Sequence, residues 1–211
     1  MFRIAAVCIA CSLVSGCMSF GGAYPLNWAE PIEVENDGCP IIDGEFQNAG
    51  AMFHEQSEGS YVEEPISLAN LLSGWADPAD KRLDFSTFDP ATDVHETVNL
   101  QLAGETLRVR AKRTDGESRT FDIPVRHRCE DSLMNLVPNW NADTTVLFSI
   151  VDRSSLQLGR ATDGSLLMHS KNAGGLFLMY MPLVGGSDQR WIRFPATEPM
   201  PSGAGSLSAS N

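Results

Sequence analysis

The sequence predicts a mainly β domain: an antiparallel meander that closes as a small barrel or folds as a sandwich, with one short helix. Three observations carry this. Apolar and polar residues alternate with period two over several short stretches, glycine, asparagine and aspartate punctuate the chain between them, and only one stretch has helical spacing. At 211 residues the chain suits one ordinary domain with tails. Hydrophobic residues at 43% and charged residues at 20% are globular values, which argue against wholesale disorder and against a polytopic membrane protein.

The helix comes first. Pro65 belongs in its opening turn, Ile66, Leu68, Leu71 and Leu72 form its apolar side, and Gly74 lies just past its end. Residues 98–102 and 107–111 then alternate as a strand pair. An even-numbered link through Ala103 and Gly104 lets Leu100 face Leu107 and Val98 face Val109. The next hairpin can be argued by exclusion. A two-residue Asp115-Gly116 turn would set Arg110 against Phe121, whereas a three-residue loop, Thr114-Asp115-Gly116, pairs Leu107 with Ile123, Val109 with Phe121 and Arg108 with Asp122. Gly116 then takes the left-handed position of a type I turn followed by a bulge. Further strands are expected at 146–151, 156–160, 165–170, 176–181 and 189–194, with Thr-Asp-Gly recurring at 162–164 and residues 185–188 reading as a turn. In the fourth of these strands Phe177, Met179 and Met181 alternate with Leu176, Leu178 and Tyr180. Both parities are apolar, so both faces should be kept from water, most simply by core packing.

The amino terminus sets the compartment. Arg3 precedes an apolar run over residues 4–14, too short for the roughly 20 residues that span a bilayer, and this reads as a secretory signal. The run ends in Val14-Ser15-Gly16-Cys17, which resembles the lipobox of bacterial lipoproteins. The resemblance covers the first 17 residues. It implies cleavage before Cys17, a diacylglyceryl group on the Cys17 thiol and a further acyl chain on the new amino terminus, which together hold a protein stably on a membrane. Met18, standing where an aspartate would favour inner-membrane retention, implies the outer membrane and a periplasmic domain. The expected organisation is a signal peptide at 1–16, a lipidated tether at 17–38, a β-rich domain at 39–197 and a disordered Ser/Gly/Ala/Pro tail at 198–211.

Cysteine usage follows from that reading. Cys8 and Cys11 leave with the signal and Cys17 carries lipid, so Cys39 and Cys129 remain. In an oxidising compartment they most simply form one disulfide, closing a loop of roughly 90 residues worth on the order of 4 kcal/mol. A buried thiol pair or a metal site are the alternatives, although neither cysteine has CxxC spacing.

Formal net charge is -12, which excludes a nucleic-acid partner held by a cationic surface. The charge is uneven: residues 17–107 hold 17 acids against two bases, and residues 108–128 hold seven bases against three acids. Arg108, Arg110 and Lys112 share the face opposite Leu107 and Val109. Such a row suits an anionic partner, or is a solvated face complemented by the protein's own acids.

Chemistry-bearing motifs are sparse. His54, His95, His127 and His169 show no HExxH or HxH spacing, and there is no GxSxG, SxxK, GxGxxG or P-loop. No catalytic residue, metal ligand or cofactor is assigned. Gly44-Glu45-Phe46 resembles the glycine-aromatic opening of lipocalin-like barrels over two matching residues. The expected function is a binding or scaffolding module at the envelope, with an envelope protein as partner. The alternatives are a lipocalin-like carrier of a small apolar ligand, or a hydrolase of envelope material, for which Glu63-Glu64 would need another carboxylate nearby.

Overall fold

A computed structural model describes residues 18–20, 23–34, 38–55, 61–76, 95–137, 139–144, 148–178 and 181–198. Residues 1–17, on which the expected signal and lipidation site fall, and residues 199–211, expected as a disordered tail, lie outside the described residues. Among the described residues, twelve strands and one helix follow in chain order: β1 (Met18–Phe20), β2 (Gly44–Gln47), β3 (Ala49–Glu55), β4 (Tyr61–Ser67), α1 (Leu68–Ser73), β5 (His95–Ala103), β6 (Thr106–Arg113), β7 (Ser118–Glu130), β8 (Leu133–Leu136), β9 (Asn139–Thr144), β10 (Phe148–Arg160), β11 (Leu166–Leu178) and β12 (Met181–Phe194). Neighbours run β2-β5-β6-β7-β8-β10-β11-β12-β3-β4, all antiparallel, with β9 added on β10 and β1 added in parallel on β12. The path stays open from β2 to β4, so the meander folds over on itself without closing into a barrel. A bridge between Phe46 and Ala196 fastens β2 to the chain after β12, with the Gln47 N–H donating to the Pro195 carbonyl at 2.8 Å.

Turn chemistry explains the hairpins. Between β6 and β7 the chain turns on Thr114-Asp115-Gly116, and Leu107, Val109 and Arg108 pair with Ile123, Phe121 and Asp122, as the alternation requires. Gly116 has φ +86°, a left-handed conformation that residues with a side chain rarely adopt. The second Thr-Asp-Gly builds the same turn between β10 and β11. In each, the glycine N–H donates three residues back, the aspartate Oδ1 accepts from the N–H two residues on, and the closing residue's N–H meets the opposite carbonyl.

Four expectations change. The β5–β6 link is a two-residue Gly104-Glu105 turn, so Leu100 sits opposite Val109, with Leu102 opposite Leu107; the faces are as expected and the partners move by two residues. Strands expected in pieces at 146–160 and 165–181 are single long strands, because their ladders run through the intervening serines and glycines. Residues 185–188 lie inside β12, paired with β11, rather than forming a turn. The helix also starts later, after Pro65 and Ile66, which end β4.

The alternation buries one side of the sheet. Val98 and Leu100, Leu107 and Val109, Phe121 and Ile123, Leu156 and Leu158, and Ile192 and Phe194 are within 2% of full burial. Each such side chain contributes about 1.5–3 kcal/mol relative to exposure. Leu68 and Leu72 of α1 complete this core, and α1 packs on β4, β5 and β6. So short a helix needs help at its start. Ser67 caps it by accepting from the Asn70 N–H, and buried Asn48, at the corner between β2 and β3, accepts from the Ala69 N–H at 2.9 Å and the Ser67 hydroxyl at 3.1 Å.

Part of the expected tether is docked. Trp28 is 7% exposed against Phe53, Ala161 and Leu167 on the other side of the sheet, and its Nε1–H donates to Glu63 at 3.2 Å. Pro31 bridges Ala161, and the Ile32 N–H donates to the Arg160 carbonyl at 2.8 Å. An aromatic cluster and backbone pairing thus hold residues 23–34 as a strap on the sheet. Cys39 and Cys129 are paired as a disulfide, with Cα atoms 5.3 Å apart, fastening the segment after the strap to the end of β7.

Candidate functional site

Antiparallel register assembles a polar surface that no single stretch of sequence contains. Gln157 of β10 lies opposite His169 of β11, which lies opposite Trp191 of β12. The next row is Ser155, Lys171 and Gln189, and the next is Arg153, Ala173 and Ser187. Directly opposed residues share a face and alternate residues take the other, so these three rows line the face away from Leu156, Leu158 and Met168. Asn135 of β8 extends the first row, accepting from Gln157 Nε2 at 3.0 Å.

A cleft of about 440 Å³ is built on these rows, with Glu130, Asn135, Arg153, Ser155, Gln157, Lys171 and Gln189 among its lining. A second concavity, of about 540 Å³, shares Arg153, Asn172, Ala173, Ser187 and Asp188 with it and extends toward Asp152 and Gly174. Asp188 is paired with Arg190 at 2.5 Å, and the Ser155 hydroxyl donates to the Lys171 carbonyl at 3.4 Å. Side-chain amides, hydroxyls, two cations and two acids therefore meet in one open depression. Such a set can hydrogen-bond a polar ligand carrying both donors and acceptors.

His169 lies beside the cleft, opposite its lining residue Gln157. It is 8% exposed and its ring stacks on Trp191 at 4.2 Å, 3° from parallel, while Tyr24 of the strap meets Trp191 edge-on at 4.9 Å. Burial, with the Lys171 charge nearby, lowers the His169 pKa to about 4 against the opposing effect of a Gln189 hydrogen bond. The imidazole is neutral at pH 7.

The cationic row expected from sequence stands elsewhere. Arg108, Arg110 and Lys112 are exposed on β6. Arg108 makes two hydrogen bonds to Asp122, at 3.0 and 3.2 Å, which raise its pKa further, and Arg110 donates to the Ser118 hydroxyl at 3.2 Å. These three residues are not brought to the cleft. Its cations are Arg153 and Lys171, separated by 18 positions in the chain and joined only by the β10–β11 ladder. The signal that could find them is the polar parity of three neighbouring strands.

Other singled-out residues have structural places. Phe46 of the Gly44-Glu45-Phe46 segment is fully buried beneath the Arg160 guanidinium, 5.3 Å from the ring centre, and Arg160 donates to the Asp43 carbonyl at 2.8 Å. Burial lowers the Arg160 pKa, which Asp43 opposes. Glu63 and Glu64 are exposed on β4. Among the described residues, no three His, Cys, Asp or Glu side chains gather as metal ligands. Cys17, Met179 and Tyr180 lie outside the described residues, and the side chains of His54, His95 and His127 are likewise not described. Comparison with known proteins finds no matching family model, no similar curated protein and no similar solved structure.

Proposed function

We propose that this chain is a lipid-anchored envelope protein, held on the outer membrane by acyl chains on Cys17 and facing the periplasm, that binds a polar envelope partner through the β8–β12 cleft. The open cleft carries the reading: residues from five strands converge there, presenting neutral donors and acceptors around Arg153 and Lys171. The apolar run over residues 4–14 and the Val14-Ser15-Gly16-Cys17 sequence support the anchor. The disulfide fits an oxidising compartment. A carrier of an apolar ligand has less support, because the core side is filled by packed side chains and most residues lining the two concavities are polar or charged.

The test is affinity capture of the lipidated protein from its native envelope, with the native chain compared against an Arg153→Ala, Lys171→Ala variant. A partner recovered with the native chain and lost with the variant is the expected result. Equal recovery overturns the cleft as the binding site. Cys17→Ser should release the protein from sedimented membranes, and retention despite that change overturns the anchor.

A further inference from the structure

The end of the sheet that carries the anchor is also its least polar part. Met18 lies opposite Gly186 and Phe20 opposite Asp188 in the parallel β1–β12 pairing, so the chain enters β1 from the direction of Val184 and Leu183. Met18 is covalently next to Cys17. The lipidated residue is therefore attached where β12 continues toward its start and toward the β11–β12 hairpin end.

Beyond the Asp152–Gly174–Gly186 row, β10, β11 and β12 continue together as a ribbon. Phe148 is opposite Leu178, Ile150 opposite Leu176, and Leu176 opposite Val184. Residues 148–151, 175–178 and 181–185 contain no charged residue, and the sequence carries none from residue 172 through 187. The pattern changes along the same three strands. Below the row, polar and apolar residues alternate, as one buried face requires; above it, consecutive positions such as 176, 177 and 178 are all apolar. A strand apolar at both parities belongs where neither face meets water. From Gly174 to Leu178 the ribbon extends about 13 Å at roughly 3.3 Å per residue. The charge nearest this end in the ladder is Asp143 of β9, opposite Ile150, which leaves about 7 Å of wholly uncharged ribbon beyond it. That depth matches the roughly 5–10 Å by which interfacial elements enter the headgroup and acyl boundary.

We infer that the charge-free end of the β10–β11–β12 ribbon inserts into the lipid surface beside the acylated Cys17, giving the protein a second membrane contact and a set orientation. This rests on the lipid-anchor reading. Acyl chains alone would leave the domain free to tumble on its attachment. A strand pair entering the interface fixes it, and places the polar cleft, whose Ser187 row is the next one inward, against the headgroup layer.

The test places a benzoylphenylalanine photocrosslinker at Leu183, and separately at Arg108, in the full lipidated chain in its native membrane. The probe is apolar and aromatic, so it suits position 183, and formation of the Cys39–Cys129 disulfide in each sample reports folding. Roughly tenfold more phospholipid adduct at position 183 than at position 108 is expected from the depth dependence of interfacial contact. Equal lipid yields, or adducts at position 183 with protein alone, overturn the inference. The intact mass of the same sample reports acylation independently. With acylation present, a negative crosslink defeats only the ribbon insertion, whereas an unmodified residue 17 defeats the anchor and the inference together.

Discussion

Asn48 stands at the corner where β2 gives way to β3, buried to 2% exposure, and does the work of several residues there. Its carbonyl accepts from the Leu68 N–H and its side chain from Ala69 and Ser67, so the open start of a six-residue helix is satisfied from outside. A helix this short cannot hold itself, and loss of a buried acceptor leaves the donor desolvated. Asn48→Ala should therefore cost about 2–4 kcal/mol, read as a fall in the urea midpoint, from two stranded buried donors at roughly 1–2 kcal/mol each. His169 gives a second residue-scale prediction. Its folded pKa of about 4 lies below the ordinary 6.5, so folding favours the neutral ring. The contribution is complete above pH 6.5 and is lost as pH falls from there toward 4. His169→Gln, which cannot charge, should flatten the fall in denaturation midpoint between pH 6.5 and 4.5. An unchanged slope would place the acid sensitivity elsewhere.

The two Thr-Asp-Gly hairpins show one local rule used twice. In both, a three-residue loop needs a left-handed glycine, with φ +86° at Gly116 and +87° at Gly164. A Cβ at Gly116 would meet nothing within 4 Å, so Gly116→Ala isolates the backbone cost, about 1–2 kcal/mol. Gly116→Asn should cost less, because asparagine tolerates this region. Equal loss of midpoint for both variants would mean that the turn conformation is not what the glycine supplies. The 162–164 turn carries an added contact. Arg193 pairs with Asp163, and although burial pushes the Asp163 carboxyl upward, hydrogen bonds from Ser165 and the Arg193 charge hold it below its ordinary value. At the sheet edge, β4 exposes Glu63, Glu64 and Pro65, residue types that discourage edge-to-edge pairing with another chain.

At the scale of the whole molecule, one crosslink and one strap join distant parts. Cys39–Cys129 closes a 90-residue separation that contains the helix, strands β2 to β6 and most of β7. Reduction should lower stability by about 4 kcal/mol on the chain-entropy account, measured as a shift in the urea midpoint, and Cys39→Ser should match the reduced native chain. An equal midpoint with and without reductant would show that the bridge constrains nothing the fold does not already constrain.

Strand parity and turn type were legible in the amino-acid sequence because each depends on neighbours within a few residues, and the pairing of Cys39 with Cys129 was legible through the expectation that the other three cysteines are cut away or lipidated. Leu107 with Ile123 and the left-handed Gly116 belong to that local class. The two-residue shift of Leu100, the strap carried by Trp28, the merging of β11 and β12 through their glycines, and the meeting of Arg153 with Lys171 do not. They were decided only in the tertiary structure, because which strand lies beside which is set by burial and register across tens of residues. Period-two alternation names the face of a residue without naming its neighbour.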